Sequence, residues 1–405
     1  MLFYADFHIH SHFSMATSRE LSPEKLDYWA AIKGLKVIGS GDFTHPGWQA
    51  ELKEKLEPAE DGLFRLKEAY RLNGGGGTRF ILTAEISNVY KKEGKARRVH
   101  NILFAPDFTT VEKIAAELSK IGNLVSDGRP ILKLDSRDLL EIVLEASPDA
   151  ALVPAHIWTP WYSMLGNKSG FDNIKECFGD LSEHIFAVET GLSSDPPMNR
   201  RCDFLDNVTL ISNSDAHSPE KLGREANIIN CKLSYLAIMD AIKKGAAPEF
   251  LGTIEFFPQE GKYYFDGHRK CGISLSPQEA RAYNFLCPVC GKRITSGVLH
   301  RVEQLATRSE TYSHPQQPLF YSFISLKDIL SAVLKSGINS KRISTAYSEI
   351  IKNGLSELDI LLNLPQNDLN LLLNDQLTQA IMNIRKGKVK IAEGFDGKFG
   401  EITLF

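Results

Sequence analysis

The chain has 405 residues, 43% of them hydrophobic and 24% charged. At roughly 150 residues per domain this length predicts two or three domains with at least one large core, and the apolar content excludes a disordered chain. The 47 basic and 50 acidic side chains leave a net charge of -3, which excludes a strongly basic nucleic-acid coat but permits a local basic patch. No stretch approaches the ~18 uninterrupted apolar residues of a membrane span, and Met1-Leu2-Phe3-Tyr4-Ala5-Asp6 lacks the basic start of a signal peptide, so a cytoplasmic protein is expected.

From residue 1 to about 245, short apolar runs alternate with helical patterns. Strands are expected at residues 4–10, 36–42, 79–85, 99–104, 151–156, 185–189 and 208–215. Ser22-Pro23-Glu24 reads as an N-cap followed by proline at the first helical position. Ser136 is the expected cap of a helix over 137–145, where Leu139, Leu140, Val143 and Leu144 share one face. This strand–helix rhythm predicts a largely parallel sheet or barrel. The four glycines at 74–77 do not make a phosphate loop, because no Lys-Ser/Thr follows and Thr78-Arg79 leads into a strand. Beyond Phe250 the elements become short and rich in Gly, Pro and Cys. Residues 325–385 are helical and rich in Leu and Ile, and 389–405 read as a hairpin around Gly394-Phe395-Asp396-Gly397.

The chemistry sits where the expected strands end. His8 and His10, spaced i and i+2, project to one strand face, with Asp6 one pair earlier. Later strands end in Gly41-Asp42, Ala84-Glu85, Ala155-His156, Val188-Glu189 and Asn213-Ser214-Asp215-Ala216-His217, and His100 lies near the start of the fourth. In (β/α) barrels that rim is where active sites are built. Imidazole and carboxylate without nearby thiols suit zinc, manganese or iron, with magnesium a further option. His8, His10, Asp42, Glu85, His100, His156, Asp215 and His217 exceed the needs of one tetrahedral ion, so two or three ions sharing bridging carboxylates are expected. Glu189 reads either as a ligand or as a carboxylate orienting substrate or water. A lone strand-end histidine is more often structural, and His12, His45 and His184 take that reading.

A second ligand set follows. His268 and Cys271 are separated by fifteen residues from Cys287-Pro288-Val289-Cys290. This spacing fits one closed structural zinc held by His268, Cys271, Cys287 and Cys290, with His300 the competing fourth ligand. Cys177, Cys202 and Cys231 are scattered. Arg269, Lys270, Lys292, Arg293 and Arg301 surround the module and form either a phosphate-contacting or a merely solvated face.

His8-Ile9-His10, Asp42, Glu85, His100, His156 and Asp215-Ala216-His217 resemble the motif series of the PHP (polymerase and histidinol phosphatase) superfamily. That resemblance implies a distorted (β/α)7 barrel that hydrolyses phosphoesters with clustered metals. Phe43 stands where many members carry a metal-binding histidine, leaving His45 as a possible substitute, and Ala16 stands where another histidine is common. The barrel, the Cys/His module, the stretch Gly297-Val298-Leu299-His300-Arg301-Val302, the segment His156-Ile157-Trp158-Thr159-Pro160-Trp161 and the leucine-rich tail together resemble the endonuclease Q family over nearly the full chain.

This resemblance implies a PHP barrel over 1–249, a zinc-binding module over 250–312 and a C-terminal helical domain with its hairpin over 313–405. It further implies a metal-dependent DNA repair endonuclease. Such an enzyme cuts the phosphodiester 5′ to deaminated bases (uracil, hypoxanthine, xanthine) and at abasic sites, leaving 3′-hydroxyl and 5′-phosphate ends. Trp158, Trp161 and Tyr162 are candidates to stack on or wedge beside the extruded base, and residues 191–195, including Ser193, to wall its pocket. Glu189, Arg200 and Asn213 complete the expected substrate contacts, Asn213 also as support for the metal ligands. Small-molecule phosphatase and non-catalytic nucleic-acid-binding accessory are the alternatives. DNA is the expected partner, and any replication or repair protein partner stays unidentified.

Overall fold

The computed structural model describes every residue except Gln317. Seven strands form the barrel: β1 (Leu2–Asp6), β2 (Leu35–Gly39), β3 (Arg79–Lys92), β4 (Lys95–Ala105), β5 (Ala151–Pro154), β6 (Ala187–Glu189) and β7 (Thr209–Ile211). One apolar cluster takes a residue from each of them, Ala5, Val37, Ile81, Ile102, Val153, Ala187 and Ile211, so it fills the barrel interior. Five helices of ten or more residues lie among or soon after the strands: α1 (Pro23–Lys33), α2 (Pro46–Lys55), α3 (Phe108–Ser119), α4 (Ser136–Ala146) and α5 (Tyr235–Lys244). Helix α1 begins as expected, with the Ser22 side chain accepting the Lys25 N–H. Helix α4 is capped one residue earlier than expected: Asp135 accepts the Arg137 N–H, and Ser136 becomes the first helical residue. Both are good cap residues, and spacing alone does not rank them.

The expected parallel barrel needs correction in its middle. β1–β2 and β2–β3 are parallel, but β3 and β4 form one long antiparallel hairpin, and β5 is antiparallel to β4. The runs at 79–85 and 99–104 are the inner arms of this hairpin, not strands joined by a helix. Its tip, Glu93-Gly94, has positive φ at both residues (51° and 78°), the backbone of a two-residue turn that follows strand twist. Strands β6 and β7 stand apart as a parallel pair. The ladder is broken on both sides of this pair and bridged singly. The Ile157 N–H donates to the Glu189 carbonyl (3.1 Å), the Phe7 N–H to Asn213 Oδ1 (2.8 Å) and the His10 N–H to the Ala216 carbonyl (3.2 Å). Those breaks make room for polar groups between strands.

After the barrel, β8 (Ala226–Asn230) pairs antiparallel with β1, β9 (Phe250–Glu255) antiparallel with β8, and, much later in the chain, β12 (Leu319–Ser322) parallel with β9. The expected divisions at 249/250 and 312/313 are therefore crossed by one continuous sheet. Between them lie the small hairpin β10 (Asp266–His268) and β11 (Ile273–Leu275) and helix α6 (Val298–Leu305). Helices α7 (Leu326–Leu334), α8 (Lys341–Ile351) and α9 (Asp375–Arg385) follow, with α7 packed on the other two. Buried Glu357 ties this bundle to the barrel: it accepts from Lys33 of α1 (2.6 Å), Tyr347 of α8 (2.6 Å) and the Leu326 N–H of α7 (3.0 Å). The hairpin β13 (Lys390–Ala392) and β14 (Glu401–Thr403) folds back onto the Cys/His module. The Asp396 carboxylate accepts the Arg269 N–H and the Thr295 hydroxyl, both at 2.7 Å.

Candidate active site

The antiparallel hairpin explains the centre of the site. Ser87 lies opposite His100, so Glu85, two residues before Ser87, shares a face with His100. The result is a buried contact of 2.6 Å between Glu85 Oε1 and His100 Nδ1. His156, at the end of β5, adds its Nε2 at 3.1 Å from the same oxygen. The other carboxylate oxygen, Oε2, faces β1 and lies 3.4 Å from both His8 Nε2 and His10 Nε2. Asp215 Oδ1 closes the group at 3.0 Å from His10 Nε2 and 3.7 Å from His8 Nε2. Two groups of ligand atoms result, each within 4.8 Å of one another: His8, His10, Glu85 and Asp215, and Glu85, His100 and His156. Asp42, His156 and Asp215 hold left-handed backbone just past their strand ends (φ 46°, 29° and 47°), a strained conformation that surrounding structure must enforce.

The donor set fits divalent ions. It offers only imidazole nitrogens and carboxylate oxygens, and the buried His8 Nε2 has no hydrogen-bond partner. His8 Nδ1 lies 3.0 Å from Glu189 Oε2, a pure acceptor that keeps a proton on Nδ1, so Nε2 is the nitrogen that would turn a lone pair to an ion. His10 is held likewise, Nδ1 to Asp42 Oδ1 at 3.2 Å. Without a cation the carboxylates draw protons onto these rings. Burial lowers the His8 pKa, yet Glu189 and Glu85 reverse this and hold it well above the ordinary value. His10 behaves the same way, pushed up to about 9 against burial by Asp215 and Asp42. At His100 burial wins, and its pKa falls to about 4. Metal entry must displace the protons on His8 and His10.

Six of the eight expected barrel ligands thus meet, and two stand beside them. Asp42 lies behind His10, its second oxygen saturated by the Ser11 N–H, the Ser11 hydroxyl and the Ser14 hydroxyl (2.6–2.8 Å). His217 packs its ring 4.7 Å from that of His10, with Nδ1 on the Asp215 carbonyl (2.9 Å). His45 does not replace the missing motif histidine. Its Nδ1 accepts the Trp48 N–H as the cap of α2, and its Nε2 donates to the Val125 carbonyl. Glu189 faces ligands, accepting from His8 and from the His156 N–H (2.8 Å), and Asn213 donates to it (2.9 Å). Arg129, which carried no sequence signal, reaches in from the loop before residue 131 and donates to Glu85 Oε2 at 3.1 Å.

The expected substrate contacts divide. Trp158 is buried, with its indole N–H on Asn199 (2.7 Å), so it is a core residue. Trp161 is 50% exposed, and the Arg98 guanidinium lies over both its ring and that of Tyr162 (5.6 and 5.5 Å). The Tyr162 ring is 4.9 Å from that of His100, beside the ligand groups. Ser193 and Trp161 line a cavity of about 710 Å³ that also meets Arg224, Phe256 and Tyr263. Arg200 is buried and donates to the carbonyls of Leu205 and Val208.

In the small module, His268, Cys271, Cys287 and Cys290 bring their ligand atoms within 4.8 Å of one another. His300 lies elsewhere, bonded to Asp266 (2.9 Å) and Gln304 (3.0 Å). Desolvation pushes the Cys287 thiol up, but the N–H groups of Cys290 and Val289 outweigh it and bring it down to about 6, which favours the thiolate that zinc binds.

A distorted α/β barrel with histidines and carboxylates gathered at its strand ends is the arrangement that the PHP resemblance implies, and its two ligand groups make a candidate multinuclear metal centre. The whole chain superposes on the crystal structure of the lesion-specific endonuclease PfuEndoQ from Pyrococcus furiosus. Identity is 31%, the TM-score is 0.88, and the match covers 99% of this chain and 95% of that one. It also superposes on endonuclease Q in complex with a 27-mer duplex substrate bearing an abasic lesion at the active site (31% identity, TM-score 0.85, covering 99% and 96%). The chain belongs to the endonuclease Q family. Residues 325–388 match the MJ0043 C-terminal domain family. Protein MJ0043 of Methanocaldococcus jannaschii is 31% identical over 275 residues, 64% of this chain, and this chain spans only 34% of its length. Protein YqxK of Bacillus subtilis is 25% identical over 98% of both chains.

Proposed function

We propose that this protein is a metal-dependent DNA repair endonuclease that cuts the phosphodiester 5′ to uracil, hypoxanthine or xanthine and at abasic sites, leaving 3′-hydroxyl and 5′-phosphate ends. The observation that carries this reading is the full-length likeness to endonuclease Q bound to lesion DNA. The likeness extends through the small module and helical bundle, which a small-molecule phosphatase has no use for. The near-complete ligand set at the barrel rim argues equally against a non-catalytic accessory protein.

His8, His10, Glu85 and Asp215 would hold one ion and Glu85, His100 and His156 a second, with Glu85 shared. Divalent ions there supply an activated water and charge neutralisation for in-line displacement at phosphorus. Glu189 and Asp42 fix the His8 and His10 rings through Nδ1, so that both Nε2 lone pairs stay aimed inward. Asn213 holds Glu189 in turn. A base in a duplex is out of reach until it is extruded, at a cost of a few kcal/mol that mispaired bases lower. Tyr162 beside His100 and its neighbour Trp161, both backed by Arg98, present flat faces for that base or for the gap it leaves. His268, Cys271, Cys287 and Cys290 would hold a structural zinc.

The test is a nicking assay on duplexes carrying one deoxyuridine, deoxyinosine or abasic site, with an undamaged control and a chromogenic phosphomonoester, each with and without chelator. Lesion-dependent, chelator-sensitive nicking is the expected result. Monoester hydrolysis alone would establish the phosphatase instead, and inertness of metal-replete protein the accessory role.

A further inference from the structure

We propose that the Arg129 guanidinium binds a non-bridging oxygen of the scissile phosphate, which makes Arg129 a catalytic residue; this rests on the nuclease reading above. The ligand groups are closed on most sides: the side chains of His8, His10 and Glu85 are at most 1% exposed. Beside them the side chains that reach solvent are His217, 36% exposed, and Asp215 and Arg129 at 26% each. Arg129 brings a permanent positive charge into contact with the group itself, 3.1 Å from the Glu85 oxygen that faces His8 and His10. Glu85 is the only hydrogen-bond partner of the Arg129 side chain among the described residues, so other donors of the planar fork remain for a ligand. The other nearby arginine, Arg224, donates instead to the backbone carbonyls of Ser214 and Asp215.

The loop is built to deliver this side chain. The Asp127 carboxylate accepts the N–H groups of Met15 (3.0 Å) and Arg129 (3.1 Å). The Gly128 N–H donates to the Phe13 carbonyl (3.0 Å) and the Ser87 N–H to the Pro130 carbonyl (3.0 Å). Gly128 lies so close to Asp42 and Ser14 that a Cβ there would collide with both side chains. Asp127, Gly128 and Pro130 thus pin the segment to β3 and to the loop after β1, with the guanidinium at the ligand groups. Clamps that neutralise phosphoryl oxygens act in this position in other phosphoryl-transfer sites.

The alternative is that Arg129 only steadies Glu85, and the two roles separate experimentally. Arg129→Gln and Arg129→Lys are compared with wild type for barrel metal content, nicking of an abasic-site duplex, and binding of that duplex with either a normal phosphate or an uncharged methylphosphonate at the scissile position. Expected are unchanged metal content, a kcat loss of ~10²-fold or more for Arg129→Gln, and a smaller loss for Arg129→Lys. The methylphosphonate should weaken binding by wild type about tenfold and binding by Arg129→Gln hardly at all. Equal methylphosphonate penalties in wild type and Arg129→Gln, or loss of metal from both variants, would overturn the assignment while leaving the nuclease intact. Failure of wild type to nick any lesion duplex would overturn both.

Discussion

Glu85 is the side chain through which the two ligand groups meet, but the residues behind the ligands set their aim. Glu189 touches His8 and the His156 backbone without pointing its own oxygens into the groups. Glu189→Ala is expected to lower metal affinity and nicking 10–100-fold with the fold retained, read by metal analysis and kinetics on the same preparation. The two tryptophans after His156 should respond oppositely. Trp158→Ala removes a buried ring and its bond to Asn199, and should cost about 3–5 kcal/mol in denaturant unfolding. Trp161→Ala should leave stability within about 0.5 kcal/mol and weaken binding to lesion duplexes selectively. Sequence spacing could name His8, His10, Glu85, His156 and Asp215 because ligand residue types at strand ends carry their own signal. It could not tell Trp158 from Trp161, since burial is decided by what packs across the rim. Arg129 was invisible because it acts from a loop, where neither periodicity nor motif marks it.

At the scale of elements, the β3–β4 hairpin shows why direction was misread. Alternation with period two marks a strand but is blind to whether the next strand runs with it or against it. The turn at Glu93-Gly94 was the missing clue, obscured because glutamate rarely occupies left-handed backbone. The start of α1 and the late hairpin were legible, since caps and turn residues act locally, whereas at α4 two adjacent cap residues left the start one residue off. The Cys/His module was legible for the same reason, its ligands being fixed by short spacings. Cys287→Ser is expected to lower zinc content and thermal stability while leaving the barrel metals in place, measured by metal analysis beside a melting curve. Chelation strong enough to strip the module should reproduce the stability loss in the wild-type protein.

For the molecule as a whole, the helical bundle is joined to the barrel through a charge. Burial raises the Glu357 pKa, but Lys33, Tyr347 and the Leu326 N–H outweigh it, and the net value lies below the ordinary 4.5. A carboxyl depressed in the folded state stabilises fully above its unfolded pKa, and that stabilisation drains as pH falls below about 4.5 toward the folded value. Glu357→Gln should therefore cost about 3–5 kcal/mol at neutral pH, because Lys33 is left buried without its partner, and should flatten the acid limb of stability measured by denaturant titration between pH 7 and 3. The hairpin of β13 and β14 links distant parts of the chain in a different way. Asp396 clasps the Arg269 backbone 127 positions upstream and Thr295 101 positions upstream. A ribosome delivers the thiols long before it delivers this clasp, so in a nascent chain that face of the module stays uncovered until the hairpin is made. Completion of the middle thus waits on a segment made later, and a product stalled or clipped before residue 390 should leave the Arg269 and Thr295 groups open to solvent, read as faster amide exchange there.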